Sequence, residues 1–158
     1  MKNVIEWFTH PPFTEPSAVI FIRLMAGGVF LWEGIIKFMF ANQGVVRFTK
    51  IGFPIPGVTA SFVGAVEIVG GLFLIFGLLT RITSFYFVVQ MLVAVITTKV
   101  TMILGYSPIG MPGAPPTTGI WAMLHEVRAD YAQIMTSMFL LIAGPGKKSL
   151  DFKFFSTK

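Results

Sequence analysis

The run HEVRADYAQIMTSMFLLIAGPG, residues 125–146, decides whether this chain folds around three long apolar helices or four. Its clean apolar part begins after Asp130 and stops at Gly144-Pro145-Gly146. Tyr131 to Ala143 is 13 residues, ~20 Å of helix at 1.5 Å per residue. A bilayer core is ~30 Å thick, so that piece alone does not cross. A spanning helix must therefore begin before Asp130, which draws His125, Glu126, Arg128 and Asp130 into or near the membrane. The other reading is a helix that starts at the interface, with those four groups among lipid headgroups.

Lipid enters the argument through composition. The 158 residues are 54% hydrophobic and only 12% charged, against about 25% charged in an ordinary soluble domain. Such a chain cannot cover a water-facing surface. The net charge of +5 does not point to nucleic acid, because the basic residues fall mainly in breaks between apolar runs, as membrane topology expects. There are no cysteines, which excludes disulfides, thiolate nucleophiles and Cys-held zinc or iron–sulfur centres. No cleavable signal peptide is evident: Pro11, Pro12 and Pro16 precede the first apolar run, which continues too far for a signal segment.

Working outward from the fourth segment, the pattern predicts one membrane domain over 1–158, an all-α four-transmembrane-helix bundle. The helices are expected at about 17–41, 58–79, 82–104 and 121–143. Closed backbone hydrogen bonding in lipid demands helices there. A short interfacial helix, ended by Pro54 and Pro56, is expected between the first two spans. Residues 105–119 hold four Gly and four Pro, too many for a helix, and form a candidate lid loop. Residues 144–158 form a basic C-terminal tail. An even number of spans puts both termini on one side. Lys2, Arg81, Lys147, Lys148, Lys153 and Lys158 share that side, against Arg47 and Lys50 in the opposite loops. By the positive-inside rule the termini are cytoplasmic.

That orientation gives each charge a depth. Glu33, Lys37, Glu67, Lys99, His125, Glu126, Arg128 and Asp130 all fall in the outer half, and Gln90 near the middle. Each buried charge costs about 2.5–3.5 kcal/mol on insertion scales, and their signs nearly balance, as pairing would require. Plainer readings stand beside this one. Glu33 and Lys37 are spaced i, i+4 and pair on one helix face. Lys37, Lys99 and Arg23 are placed to snorkel toward the interface. Glu67 is too deep for that, and shares its face with Ala60, Gly64 and Gly71, small residues that admit a neighbouring helix. It is expected to face protein, with Lys37 or Arg128 as partner. The fourth helix carries two polar stripes, Trp121–His125–Arg128–Ala132 and Glu126–Asp130–Gln133–Ser137; one of them must line the bundle. His125 has the reference pKa of a proton carrier, and is equally read as a hydrogen-bonded buried histidine. No metal set is recognisable, and no phosphate-loop or dinucleotide motif is present.

Several blocks together resemble the DoxX family of small four-helix membrane proteins: RLMAGGVFLWEGIIKFMF (23–40), IGFPIPGVTASFVGAVEIVGGLFLIFGLLTR (51–81) and GPGKKSLD (144–151). The resemblance implies an inner-membrane bundle in a bacterial or archaeal cell. It is similar to the small membrane subunit of thiosulfate:quinone oxidoreductase and to membrane redox complexes that handle thiol stress. The expected function is a quinone-linked redox subunit. Glu67, His125, Arg128 and Asp130 are its candidate catalytic residues, and Glu33, Lys37, Gln90, Lys99, Trp121 and Tyr131 its candidate ligand contacts. Quinone is the one cofactor implied. The alternative is a scaffold or ligand-binding protein that recruits an oxidoreductase partner, with small-solute transport a third reading. Beyond membrane lipid, a soluble or membrane oxidoreductase and a second copy of the chain are the partners considered. Whether the chain is itself an enzyme is left open by its residues.

Overall fold

The computed structural model describes residues 17–155. Lys2, His10, the N-terminal prolines and Lys158 lie outside the described residues. Within them the order is α1 (Val19–Met39), α2 (Val45–Ile51), α3 (Pro56–Phe76), α4 (Thr80–Thr98) with a 3-10 turn at Val100–Leu104, α5 (Gly119–Ala143) and α6 (Leu150–Phe155). The helices α1 and α3, and α4 with its 3-10 extension, are each long and apolar enough to cross a membrane. Large apolar side chains such as Phe21, Phe62 and Ile96 stay exposed on their outer faces, which suits lipid as the surrounding solvent. The long polar-to-apolar segment forms one helix of 25 residues, α5. It starts well before Asp130, and at ~37 Å it lies along the other three as the fourth member of the bundle.

Local chemistry explains the boundaries. The short helix α2 stops at Gly52, whose φ of 88° few other residues adopt. Pro56 does not end α2, as its sequence position suggests; it opens α3, where a missing N–H costs nothing. Gly77, at φ 66°, ends α3. A Cβ there would lie 2.6 Å from Ser149 Cβ and 2.8 Å from Arg23 Cζ, so space as well as conformation demands glycine.

The bundle is built from two intimate pairs, α1 with α3 and α4 with α5. In the first pair, glycines seven residues apart on each helix meet. A Cβ on Gly27 would lie 2.6 Å from the Gly71 carbonyl, and one on Gly34 2.7 Å from that of Gly64. Backbones this close gain van der Waals contact that larger side chains would prevent. The pairs join in the middle of the bundle. Phe87 of α4 packs against Gly70 of α3 and stacks on Phe30 of α1, with ring centroids 3.6 Å apart.

At one end, the tail end, the pairs are tied by polar groups. Arg23, 3% exposed, does not reach for the interface. Its Nε donates to the Leu74 carbonyl (3.0 Å), Nη2 to Ile75 (2.6 Å), and Nη1 to Pro145 (3.2 Å) and Lys148 (2.6 Å). Asp151 is buried at the start of α4, where its carboxylate accepts from the N–H groups of Leu79 (2.7 Å) and Thr80 (3.0 Å). These are donors a helix start leaves unpaired, and the helix dipole favours an anion there. Arg81 Nη2 donates to the Ile142 carbonyl at 2.7 Å, joining α4 to α5. Ser149 caps α6 by accepting from Phe152 N–H at 3.1 Å.

Candidate functional site

At the opposite end the helices enclose a cavity of about 660 Å³. The glycine contacts of α1 and α3 set its floor. The helices are antiparallel, so Lys37, three residues past Gly34, and Glu67, three past Gly64, lie on opposite sides of that crossing; the close approach there lets the long Lys37 side chain reach back across it to Glu67. Lys37 Nζ lies 2.6 Å from Glu67 Oε2. Of the two cations weighed as partners for Glu67, Lys37 is the one in contact. Neither group reaches solvent freely: Glu67 is 2% exposed and the Lys37 side chain 12%. Lys37 also donates to the Glu33 backbone carbonyl at 3.2 Å, while the Glu33 carboxylate stands 4.0 Å away. The local i, i+4 pair is thus the weaker contact and the interhelical pair the stronger.

From α4, Gln90 Nε2 donates to Glu67 Oε1 at 2.5 Å. That leaves Gln90 Oε1 buried and without a hydrogen-bond partner, although Gln90 lines the cavity. A buried acceptor left unmade costs about 1–3 kcal/mol, and such groups collect where a ligand or water completes them. Above this floor the walls are mainly apolar and aromatic, with Phe30, Phe48, Phe53 and Tyr86 among them.

The rim is charged. Lys99, at the end of α4, pairs with Glu126 of α5 at 3.6 Å. Glu33, Asp130 and Gln133 line the cavity too. Arg128 lines it but is exposed, with its guanidinium turned back onto the His125 carbonyl of its own helix. Of the two polar stripes on α5, the one with Glu126, Asp130 and Gln133 faces inward. His125, Trp121 and Tyr131 are exposed and contribute nothing to the lining. No residue of the loop 105–118 lines the cavity. Its cover comes instead from the α2 region, through Gln43, Arg47, Phe48, Ile51 and Phe53.

Arg47, held by Gln43 Oε1 at 3.3 Å, and Tyr86 are the site residues that sequence reasoning missed. The i, i+4 spacing of Gln43, in the turn before α2, and Arg47, on α2 beside apolar Phe48, was the signal available. Chemically, the cavity presents a donor (Lys37), an unpartnered acceptor (Gln90 Oε1) and a proton-accepting carboxylate (Glu67) within one small floor under aromatic walls. Among the described residues no group of His, Asp and Glu is arranged to hold a metal ion.

The sequence profile of the DoxX family matches residues 18–100. That span covers the helices carrying Glu33, Lys37, Glu67, Gln90 and Lys99, and leaves α5 outside. Over 137 residues, 86% of this chain and 80% of the relative, the chain is 42% identical to "Uncharacterized membrane protein Rv3486" of Mycobacterium tuberculosis. Over 132 residues, 84% and 83% of the two chains, it is 27% identical to "Putative oxidoreductase CatD" of Bacillus subtilis. No solved structure matches the chain.

Proposed function

The chain belongs to the DoxX family of membrane proteins, and from that premise we propose that its cavity binds a quinone head group as part of a membrane redox assembly. The observation that carries the reading is the floor: the Lys37–Glu67 pair with the unpartnered Gln90 Oε1 beside it. A quinone bound there would supply two-electron, two-proton chemistry. The residues fit both of its protonation states. Lys37 Nζ donates to a carbonyl oxygen, Gln90 Oε1 accepts from a hydroxyl, and Glu67 takes up or releases a proton at its carboxylate. Tyr86, with Phe48 and Phe53 from the α2 region, gives the cavity aromatic walls for a ring, and Arg47, Lys99 and Asp130 polarise the mouth.

The name of the Bacillus relative supports redox work without naming a substrate. This chain has no cysteine, so any thiol oxidation belongs to a partner oxidoreductase. In this reading the tail end, with exposed Lys147, Lys148 and Lys153, faces the cytoplasm of a bacterial or archaeal cell, an orientation the positive-inside rule supports, and the cavity lies in the opposite half. The test is extraction of lipids from the purified protein and titration with short-chain ubiquinone and menaquinone analogues. Wild type is expected to retain or bind quinone, and Glu67→Gln with Lys37→Met to lose it. A wild-type protein that does neither refutes the reading.

The same exposed lysines favour a second reading, recruitment of a soluble partner to the tail end. Removing the tail would not test it cleanly, because Asp151 caps α4. Replacing Lys147, Lys148 and Lys153 by Gln leaves the Asp151 cap in place and is expected to lower co-purification of a partner if recruitment is the function.

A further inference from the structure

Two kinds of hydroxyl stand on α4 and α5. Thr97, Thr98 and Thr136 close on the carbonyl one turn back in their own helix, at 2.8, 2.6 and 2.9 Å. Thr80 and Ser84 of α4 and Ser137 of α5 do not. All three are 0% exposed, and none of their hydroxyl oxygens has a hydrogen-bond partner.

Their positions form a line. The Arg81–Ile142 hydrogen bond fixes the register of antiparallel α4 and α5. Ser84 lies three residues from Arg81 and Ser137 five from Ile142, ~4.5 and ~7.5 Å toward the cavity, and so at nearly one level. Gln90 and Gln133 each lie nine residues along, ~13.5 Å, and both line the cavity. Asp130 follows one turn further. Thr80 begins the line at the tail end, beneath the Asp151 carboxylate that holds its N–H. Rotation at ~100° per residue sets Ser84 ~60° from Arg81, which reaches α5, and ~60° from Phe87, which packs on α3. Ser84 therefore points into the bundle rather than toward lipid.

Unpartnered hydroxyls in a dry interior are costly. Bound water with several polar partners is the usual remedy, and a hydroxyl that both donates and accepts passes a proton along such a chain. We propose that the α4–α5 seam holds a line of bound water from Thr80 past Ser84 and Ser137 to Gln133 and Asp130, connecting the tail end to the cavity as a proton route. The route stands independently of which ligand the cavity takes.

The chain's lack of cysteine makes the test direct. Ser84→Cys and Ser137→Cys are placed singly in the full-length protein in sealed proteoliposomes, and silver ion is added from either side. Thr97→Cys in the cavity wall and Ala26→Cys in the apolar core serve as references. A thiol ionises and reacts only where water reaches it. Both serine positions are expected to react at least about tenfold faster than Ala26→Cys, with Ser84→Cys faster from the tail side. Reaction of both at the Ala26→Cys rate overturns the proposal, whatever the outcome of quinone titration. Should a cysteine variant fail to fold, Ser137→Ala decides. Loss of water-bridged hydrogen bonds lowers its melting temperature, whereas removal of a dry unpaired hydroxyl raises it and overturns the proposal.

Discussion

Arg23 and Lys37 stand on the same helix, fourteen residues apart, and meet opposite kinds of partner. Arg23 spends its donors on four backbone carbonyls drawn from α3 and from the turn after α5. Lys37 meets above all the Glu67 carboxylate, with that of Glu33 farther off, and Glu67 meets an amide with an acceptor left over. The tail end is tied by bonds to backbone carbonyls and N–H groups, and these hold two helix pairs in register. The cavity end is built from groups that gain and lose protons, with space above them. Two clusters that look alike in composition therefore divide the work into fastening and chemistry.

The largest expected effect lies at the fastening. Arg23→Ala leaves the carbonyls of Leu74, Ile75, Pro145 and Lys148 without their donor. It is expected to cost about 3–5 kcal/mol, by analogy with a broken buried charge network, read as a large fall in melting temperature in detergent. No apolar replacement elsewhere should restore it, because backbone carbonyls cannot be mutated away.

Lys37→Ala should cost nearly as much, since it strands Glu67 in a buried site. Here the comparison sharpens: the double variant Lys37→Met, Glu67→Met is expected to recover most of that stability, because an apolar pair replaces a desolvated one. It should still bind no quinone. A double variant as unstable as the single would mean that the cavity floor is a fastening like the tail end.

Gly34→Val tests how the floor is assembled. Its side chain would run into the Gly64 carbonyl and Ile68, pushing α1 from α3 at about 1–3 kcal/mol. Ligand affinity should fall with it, although Gly34 touches no ligand. Smallest is His125→Ala. The residue is exposed and absent from the lining, so stability should move within about 0.5 kcal/mol and quinone titration not at all. Loss of binding in that variant would move the site to the outer face of α5.

The bundle itself was legible. Hydropathy marked the spans because lipid leaves a backbone few alternatives to helix, and the length of the run after Asp130 forced α5 to start early. Glu67 could be placed facing protein because no short carboxylate reaches water from that depth, and its glycine-rich face named the neighbour's approach. Two things were not legible. Arg23 was expected to snorkel because backbone carbonyls have no signature in a sequence; any residue supplies one. The rotation of α5 was open because both of its faces are polar, and His125 and Asp130 looked equally suited to the interior.

The sequence by itself determined the apolar solvent and the long helices of the bundle, both consequences of the energy of moving groups from water into lipid. Only the tertiary structure decided which charge meets which. That depends on backbones approaching within a few ångströms at Gly34 and Gly64, on the α4–α5 register, and on α2 folding over the mouth. These contacts join residues distant in sequence, and helix periodicity constrains their faces without choosing among neighbours.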